Sequence, residues 1–474
     1  MTVETRIEHD LLGDRMVPDM AYWGIHTLRA QENFPISGQT LASAPRLIQA
    51  LASIKQAAAL ANNELGLLDS SRCSAIVAAC VEIRNGSLHD QFVVDLIQGG
   101  AGTSTNMNAN EVIANRALEI IGSSRGEYRH LHPNEHVNMG QSTNDVYPTA
   151  VKLASWFGVR NLIDAMALLR GSFSAKAEEF SEILKMGRTQ LQDAVPMTLG
   201  QEFGTYALML LEDETRLNEA AALICEINLG ATAIGTGITA HPAYAALVRD
   251  KLAEITGVPV ETAIDLIEAT QDCGAFVQLS GVLKRVAVKL SKICNDLRLL
   301  SSGPRAGLNE INLPARQAGS SIMPGKVNPV IPEVVNQVAF EVIGNDVTIS
   351  FAAEAGQLQL NAFEPMIFYS MNRSLTHLTA ACLTLDENCV RGITANQDVL
   401  RGYVENSIGI VTALNPHIGY HNATEVAIEA HRTGRGVYEL VLERGLISKE
   451  RLDLVLQPVH MTRPYSPDHS DIPA

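Results

Sequence analysis

A chain of 474 residues that is 46% hydrophobic and 19% charged is too long for one ordinary core and too apolar to stay disordered. Its formal charge of -16 argues against nucleic acid or an anionic membrane as a partner, and requires any site for an anionic substrate to be locally positive. With aromatic residues at only 5%, packed helices are favoured over an aromatic-rich sandwich.

The N-terminal stretch MTVETRIEHDLLGDRM carries Glu4, Glu8 and Asp10 where a signal peptide needs a basic start and an apolar run. Helical periodicity begins at 47–65. A first polar loop follows, GGAGTSTNMNANEV, with Asn108 and Glu111 spaced as a capping box. The polar stretch 122–140 contains HLHPNEH, which reads as a solvated loop because no HExxH or paired Cys/His spacing supports a metal. It runs into a second polar loop, NMGQSTNDVYPT, where Pro148 is placed as a first-turn proline ahead of a helix at 151–180. In a third, KMGRTQLQDAVPMTLGQEF, Pro196 has the same placing before a helix at 198–227. Farther on, Val286, Leu290, Ile293, Leu297 and Leu300 step by four and three, which is the seam of a bundle helix. A fourth polar loop, GSSIMPGKVNPVIPEVV, precedes a helix at 333–353, and Leu378, Cys382, Leu385, Cys389 and Ile393 repeat the seam.

Breaks at 122–140 and 392–402 divide the chain into an N-terminal domain 1–140, a central helical domain 141–397 and a small C-terminal domain 398–474. The tail 458–474, with four prolines in seventeen residues, is expected to fray. Seven scattered cysteines without a CxxC pair read as a reduced, cytoplasmic protein, and no stretch reaches the ~18 apolar residues of a membrane span. The fold class expected is all-α.

Each polar loop leads towards a helix, and helix N-termini offer unpaired N–H groups and a positive dipole end. One such loop is ordinary capping; four, one with a lysine, suit a dicarboxylate ligand. GSSIMPGKVNP, with the other three loops in order, resembles the signature of the aspartase/fumarase superfamily, over essentially the whole chain. The resemblance implies a mostly helical, three-domain subunit, a homotetramer on a core of twenty helices, and active sites shared between subunits. It implies no cofactor and no metal.

Carried over by motif, Ser320 is the implied general base, and Lys326 and Asn328 the implied ligands of a substrate carboxylate. Thr103, Ser142, Thr143, Asn144, Thr189 and Gln190 are expected to line the pocket, with Ser321 beside the base and Arg29 of HTLRA a further carboxylate contact. The implied reaction is elimination of ammonia from L-aspartate to give fumarate. The carbon 3 hydrogen is weakly acidic, and its removal builds a doubly charged aci-carboxylate that needs dense hydrogen-bond donation. Small hydroxyl and amide side chains supply donors without filling the pocket. Ser320 must act as an oxyanion, which Lys326 and local N–H groups could stabilise. The loop 314–329, bent by Gly and Pro, is expected to close over the substrate.

Within the superfamily, Gln190 stands where fumarases carry His after GRT, and GAGTSTN departs from their GSGTQSN pattern, so ammonia rather than water is the expected leaving group. Fumarate hydration is the alternative, and an inert crystallin-like relative is disfavoured because every implied catalytic position is kept. GSSIMPGKV is no phosphate loop, since Val327 replaces the required Ser/Thr, and GTGITA lacks the parallel-sheet unit of a dinucleotide site.

Overall fold

Residues 4–464 of the chain are described by a computed structural model. Its residues form two compact units, one comprising the chain to Ile163 with Thr215–Ala287 and Phe340–Thr379, the other Asp164–Glu214, Val288–Ala339 and the chain from Ala380. The fold is mostly helical, and among the described residues the strands pair only as short two-stranded ladders.

In chain order the elements are β1 (Thr5–Asp10), β2 (Gly13–Pro18), α1 (Ile25–Asn33), α2 (Pro45–Glu64), α3 (Ser70–Arg84), α4 (Thr103–Ile120) and α5 (Thr143–Glu179). Next come β3 (Leu184–Thr189), β4 (Gln192–Thr198), α6 (Leu199–Leu223), β5 (Glu226–Ile227), α7 (Tyr244–Thr256), β6 (Glu261–Thr262), α8 (Leu266–Gln271) and α9 (Gly274–Leu300). β7 (Ile311–Asn312), α10 (Val330–Glu354), α11 (Glu364–Asn388) and β8 (Thr394–Ala395) precede α12 (Gln397–Asn406), α13 (Val411–Ile418), α14 (Tyr420–Thr433), α15 (Val437–Glu443), α16 (Lys449–Val455) and α17 (Pro458–Met461).

The periodic stretches are helices, and both apolar seams are buried: Val286, Leu290, Ile293 and Leu297 of α9 and Leu378, Cys382 and Leu385 of α11 are all within 1% of complete burial. Cys389 lies just past the end of α11, buried like the other six cysteines. In the first unit α2 packs on α3 and α7, and α4 on α3 and α1. In the second, Phe173, Phe180, Phe203 and Tyr206 meet at tilted and edge-on angles with centroids 5.3–6.1 Å apart. A separate core there gathers Val404, Leu414, Val426, Leu440 and Leu452 from the C-terminal helices.

Three local expectations come out differently. Asn108 and Glu111 form no capping box, because left-handed Gly102 starts α4 at Thr103 and leaves both residues inside it. Glu111 instead caps another helix: its carboxylate accepts the N–H groups of Gly24, His26 and Thr27 and the Thr27 hydroxyl at the start of α1. Burial pushes that carboxyl up to about 7 against those donors. Pro148 sits inside α5, which begins at Thr143. A proline there denies the Asn144 carbonyl its helical N–H, and Asn228 Nδ2 supplies a substitute donor at 3.0 Å. Pro196 lies in β4, since the third polar loop turns back on itself at Gln190 and Leu191, both at positive φ, as an antiparallel hairpin. Of the tail, 458–461 form α17 and residues from 465 lie outside those described. The second half of HLHPNEH opens one turn of π-helix, Pro133–Val137, where His132 Nδ1 accepts the Asn134 and Glu135 N–H groups.

Candidate active site

The first unit holds the first and second polar loops. Thr103 opens α4, exposed, with its hydroxyl donating to the Gly100 carbonyl at 2.8 Å. Gly102 before it admits no side chain: a Cβ would lie 2.4 Å from the Tyr147 ring. Ser142, Thr143 and Asn144 form the half-buried start of α5, and Asn144 Nδ2 donates to the Ala233 carbonyl at 2.8 Å.

A buried lysine organises these loops. Lys55 stands in the middle of α2, and its Nζ donates to Asn106 Oδ1 at 2.7 Å, Asn138 Oδ1 at 2.8 Å and Gln141 Oε1 at 2.9 Å. Asn106 in turn donates to Thr143 Oγ1 at 3.2 Å, so one ammonium joins the end of the first loop to the start of the second. Burial pushes Lys55 down to about 7, with Asp145 opposing the shift. Asp145 closes the network, its carboxylate accepting N–H groups of Ser142, Gly230 and Thr232 at 2.9–3.0 Å. Burial pushes it up to about 6 despite those donors. Sequence reasoning passed over both residues; the available signal was a charge inside the apolar run LASIKQAAALA, and an Asp directly after Ser-Thr-Asn.

The second unit holds the third and fourth polar loops. Thr189 ends β3, and Thr189 and Gln190 are exposed at the hairpin tip. Between α9 and α10 the Ser320 loop closes through a backbone staple: Gly319 N–H donates to the Lys326 carbonyl at 2.8 Å, and Asn328 Nδ2 to the Gly319 carbonyl at 2.8 Å. Gly319 must be glycine there, because a Cβ would meet the Lys326 oxygen at 2.6 Å. Inside the staple, Ser320 Oγ accepts two backbone N–H groups, from Met323 at 2.9 Å and Ile322 at 3.2 Å. Two donors aimed at one hydroxyl oxygen stabilise the alkoxide more than the alcohol, the electrostatics a serine base requires. Ser321 and Lys326 are exposed and Ser320 and Asn328 half-buried, so the loop presents its polar side chains to solvent.

Arg29 stands apart. Its Nε and Nη2 bind the Asp10 carboxylate, each at 2.7 Å, and Nη2 also reaches the Gly13 carbonyl at 3.0 Å. The guanidinium holds the Asp10 carboxyl down at about 2. In this geometry Arg29 fastens the N-terminal hairpin to α1. Among the described residues no group of three His, Cys, Asp or Glu side chains is arranged to hold a metal ion, and no helix is long and apolar enough to cross a membrane.

The chain is similar to known proteins along nearly its whole length. The lyase family profile matches residues 13–344, and that of the fumarase C C-terminus residues 410–463. The aspartate ammonia-lyase of Helicobacter pylori is 58% identical over 97% of this chain and 98% of its own length. Those of Pseudomonas canavaninivorans and Escherichia coli are 60% and 57% identical, covering 97% and 98% of this chain and 97% of each relative. Among solved structures, a fumarate lyase:delta crystallin from Brucella melitensis superposes with a TM-score of 0.95 at 55% identity, over 97% of this chain and all of that one. A class II fumarase from Schistosoma mansoni gives 0.92 at 35% identity, over 98% of this chain and all of that one.

Proposed function

The chain belongs to the lyase family that includes aspartate ammonia-lyases and fumarases, and on that premise we propose that it eliminates ammonia reversibly from L-aspartate to give fumarate. The observation that carries the choice of leaving group is identity of 57% and 60% to aspartate ammonia-lyases over at least 97% of the chain, against 35% to the fumarase. Gln190 at the hairpin tip agrees with it, because a neutral amide cannot activate water as an imidazole can. Seven buried free thiols support a cytoplasmic setting.

In the proposed mechanism Ser320 Oγ, as the oxyanion, takes the proton from carbon 3 and becomes the hydroxyl. The electron pair of the C–H bond moves into the adjacent carboxylate, giving the aci-carboxylate. Collapse of that dianion forms the carbon–carbon double bond and breaks the C–N bond, whose pair leaves with nitrogen as ammonia. Lys326 and Asn328 bind a substrate carboxylate, Ser321 assists beside the base, and Thr103, Ser142, Thr143, Asn144, Thr189 and Gln190 supply the remaining donors. Amide donors of Ile322 and Met323 support the Ser320 assignment, since they favour the charged form of the base.

Aspartate should raise absorbance in the fumarate band, whereas malate should give a negligible rate. Comparable rates with both substrates would overturn the assignment.

The site is further proposed to be shared between subunits of a homotetramer. Phe340, Val347 and Phe351 expose 52–71% of their surface along one face of α10 in the first unit, an apolar stripe that self-association would cover. If the loops complete one another across subunits, refolding inactive Ser320→Ala together with inactive Thr189→Ala should restore part of the activity. Mixed tetramers without any recovery would put both residues in one chain's site.

A further inference from the structure

Within the second unit, one buried carboxylate joins the roots of two loops that the proposed chemistry uses. Lys185 and Arg188 lie three apart on β3, so a regular strand would send them to opposite faces. The register shift between Met186 and Arg188 marks a bulge, which adds local twist, and both cations reach Glu310. Lys185 Nζ lies 2.9 Å from Glu310 Oε2, and Arg188 Nη1 donates to Glu310 Oε1. Glu310 has no exposed surface and Lys185 only 2%. Lys185 also meets Glu202 of α6.

Glu310 is itself fixed at the backbone. Its N–H donates to the Leu300 carbonyl at the end of α9 at 2.8 Å, and its carbonyl accepts from Asn396 N–H at 2.9 Å. A second strut runs parallel to the ion cluster: the Arg188 guanidinium lies 5.7 Å over the Tyr403 ring, whose hydroxyl donates to the Leu308 carbonyl at 3.0 Å. Thr189 follows Arg188 directly. From Glu310 the chain continues through β7, paired with β8, and past Arg316, pinned by the Asn388 and Glu387 carbonyls, to Ser320. A buried ion cluster contributes little net stability compared with apolar residues of the same size, but separating its members is costly, because each is then left as an uncompensated buried charge. That is the property a scaffold for two catalytic loops needs.

We infer that Glu310 is a positioning residue for catalysis: by gripping Lys185 and Arg188 it sets the Thr189–Gln190 turn and the start of the Ser320 loop in one frame. This rests on the reading that both loops carry site residues, whichever site of the assembly each completes.

The test uses the full-length chain with Glu310→Gln, Glu310→Asp and Arg188→Lys, alongside Ser320→Ala and Thr189→Ala. Glu310→Gln keeps the shape and removes the charge, and kcat per folded subunit should fall about 10²-fold, the scale of a ~1 Å misplacement. Glu310→Asp should recover part of that loss, since it restores the charge. A purely structural role would lower the melting temperature and leave kcat per folded subunit unchanged. Should Glu310→Gln fail to fold, Arg188→Lys decides, because it retains charge and loses the planar fork; its kcat should drop by about tenfold. A folded Glu310→Gln, or in its absence Arg188→Lys, with kcat within about twofold of the parent overturns the inference. Activity retained in both Ser320→Ala and Thr189→Ala would instead remove the reading on which it rests.

Discussion

Ser320→Ala is expected to lower turnover of aspartate by ~10²–10⁴-fold or more, the usual contribution of a general base. The loss should fall equally on kcat and kcat/KM, with KM little changed, because the hydroxyl acts on the carbon 3 proton only as the bond breaks. Folding should be unaffected. Ser320 lies half-buried in a loop, and the N–H groups of Ile322 and Met323 that its oxygen accepts are near enough to solvent to bond water instead. Steady-state kinetics with a thermal melt of the same preparation checks both halves. A folded variant with near-parental turnover would remove Ser320 as the base.

The long helices were legible in the sequence because their apolar residues repeat with the helical period. The stripe Val286 to Leu300 states which face is buried before any partner is known, and burial of that whole face follows. The four polar loops were legible too, as composition, and in the second unit GSSIMPGKVNP folds so that the staple aims two amides at the serine. What could not be read was whatever depends on contacts between distant segments. Lys55 meets Asn138 and Gln141 across more than eighty residues, and Arg188 meets Glu310 across 122. A lysine in a helix does not announce which amides surround it. The same reason explains Glu111, three residues after Asn108 in the spacing of a local cap, yet capping a helix 84 to 87 residues away.

The hairpin of the third loop illustrates competition between local signals. Pro196 ahead of Leu199 resembles a first-turn proline, and α6 does begin at Leu199. Yet Gln190 and Leu191 both adopt left-handed φ, of 53° and 63°, so the residues on either side of them pair as strands. Proline is tolerated in β4 because a two-stranded ladder leaves one edge unpaired. Thr189 and Gln190 are thereby presented at the tip of a hairpin whose root carries the ion pairs of Lys185 and Arg188 with Glu310, and on the proposed reading their placing depends on those buried charges.

Lys326→Ala should raise KM for aspartate by at least about tenfold, since removing the partner of a desolvated charge costs about 2–5 kcal/mol. The variant should keep the loop intact, because what Lys326 gives the fold is backbone: its carbonyl accepts Gly319 N–H and its N–H reaches the Met323 carbonyl at 3.3 Å. The side chain is therefore free for the ligand. Its root lies across the staple from Gly319, the neighbour of Ser320, and support of the serine oxyanion is the second role proposed for the ammonium. The two roles separate in the kinetics. Carboxylate binding alone raises KM and leaves kcat, whereas support of the oxyanion lowers kcat as well and moves the rising limb of its pH profile to higher pH, since an unassisted serine ionises less readily. Lys326→Arg, which retains charge but spreads it over a planar fork, should restore binding better than turnover. Unchanged KM and kcat in a folded Lys326→Ala would take the lysine out of the site and leave the two amides as the only support for the Ser320 anion in this loop.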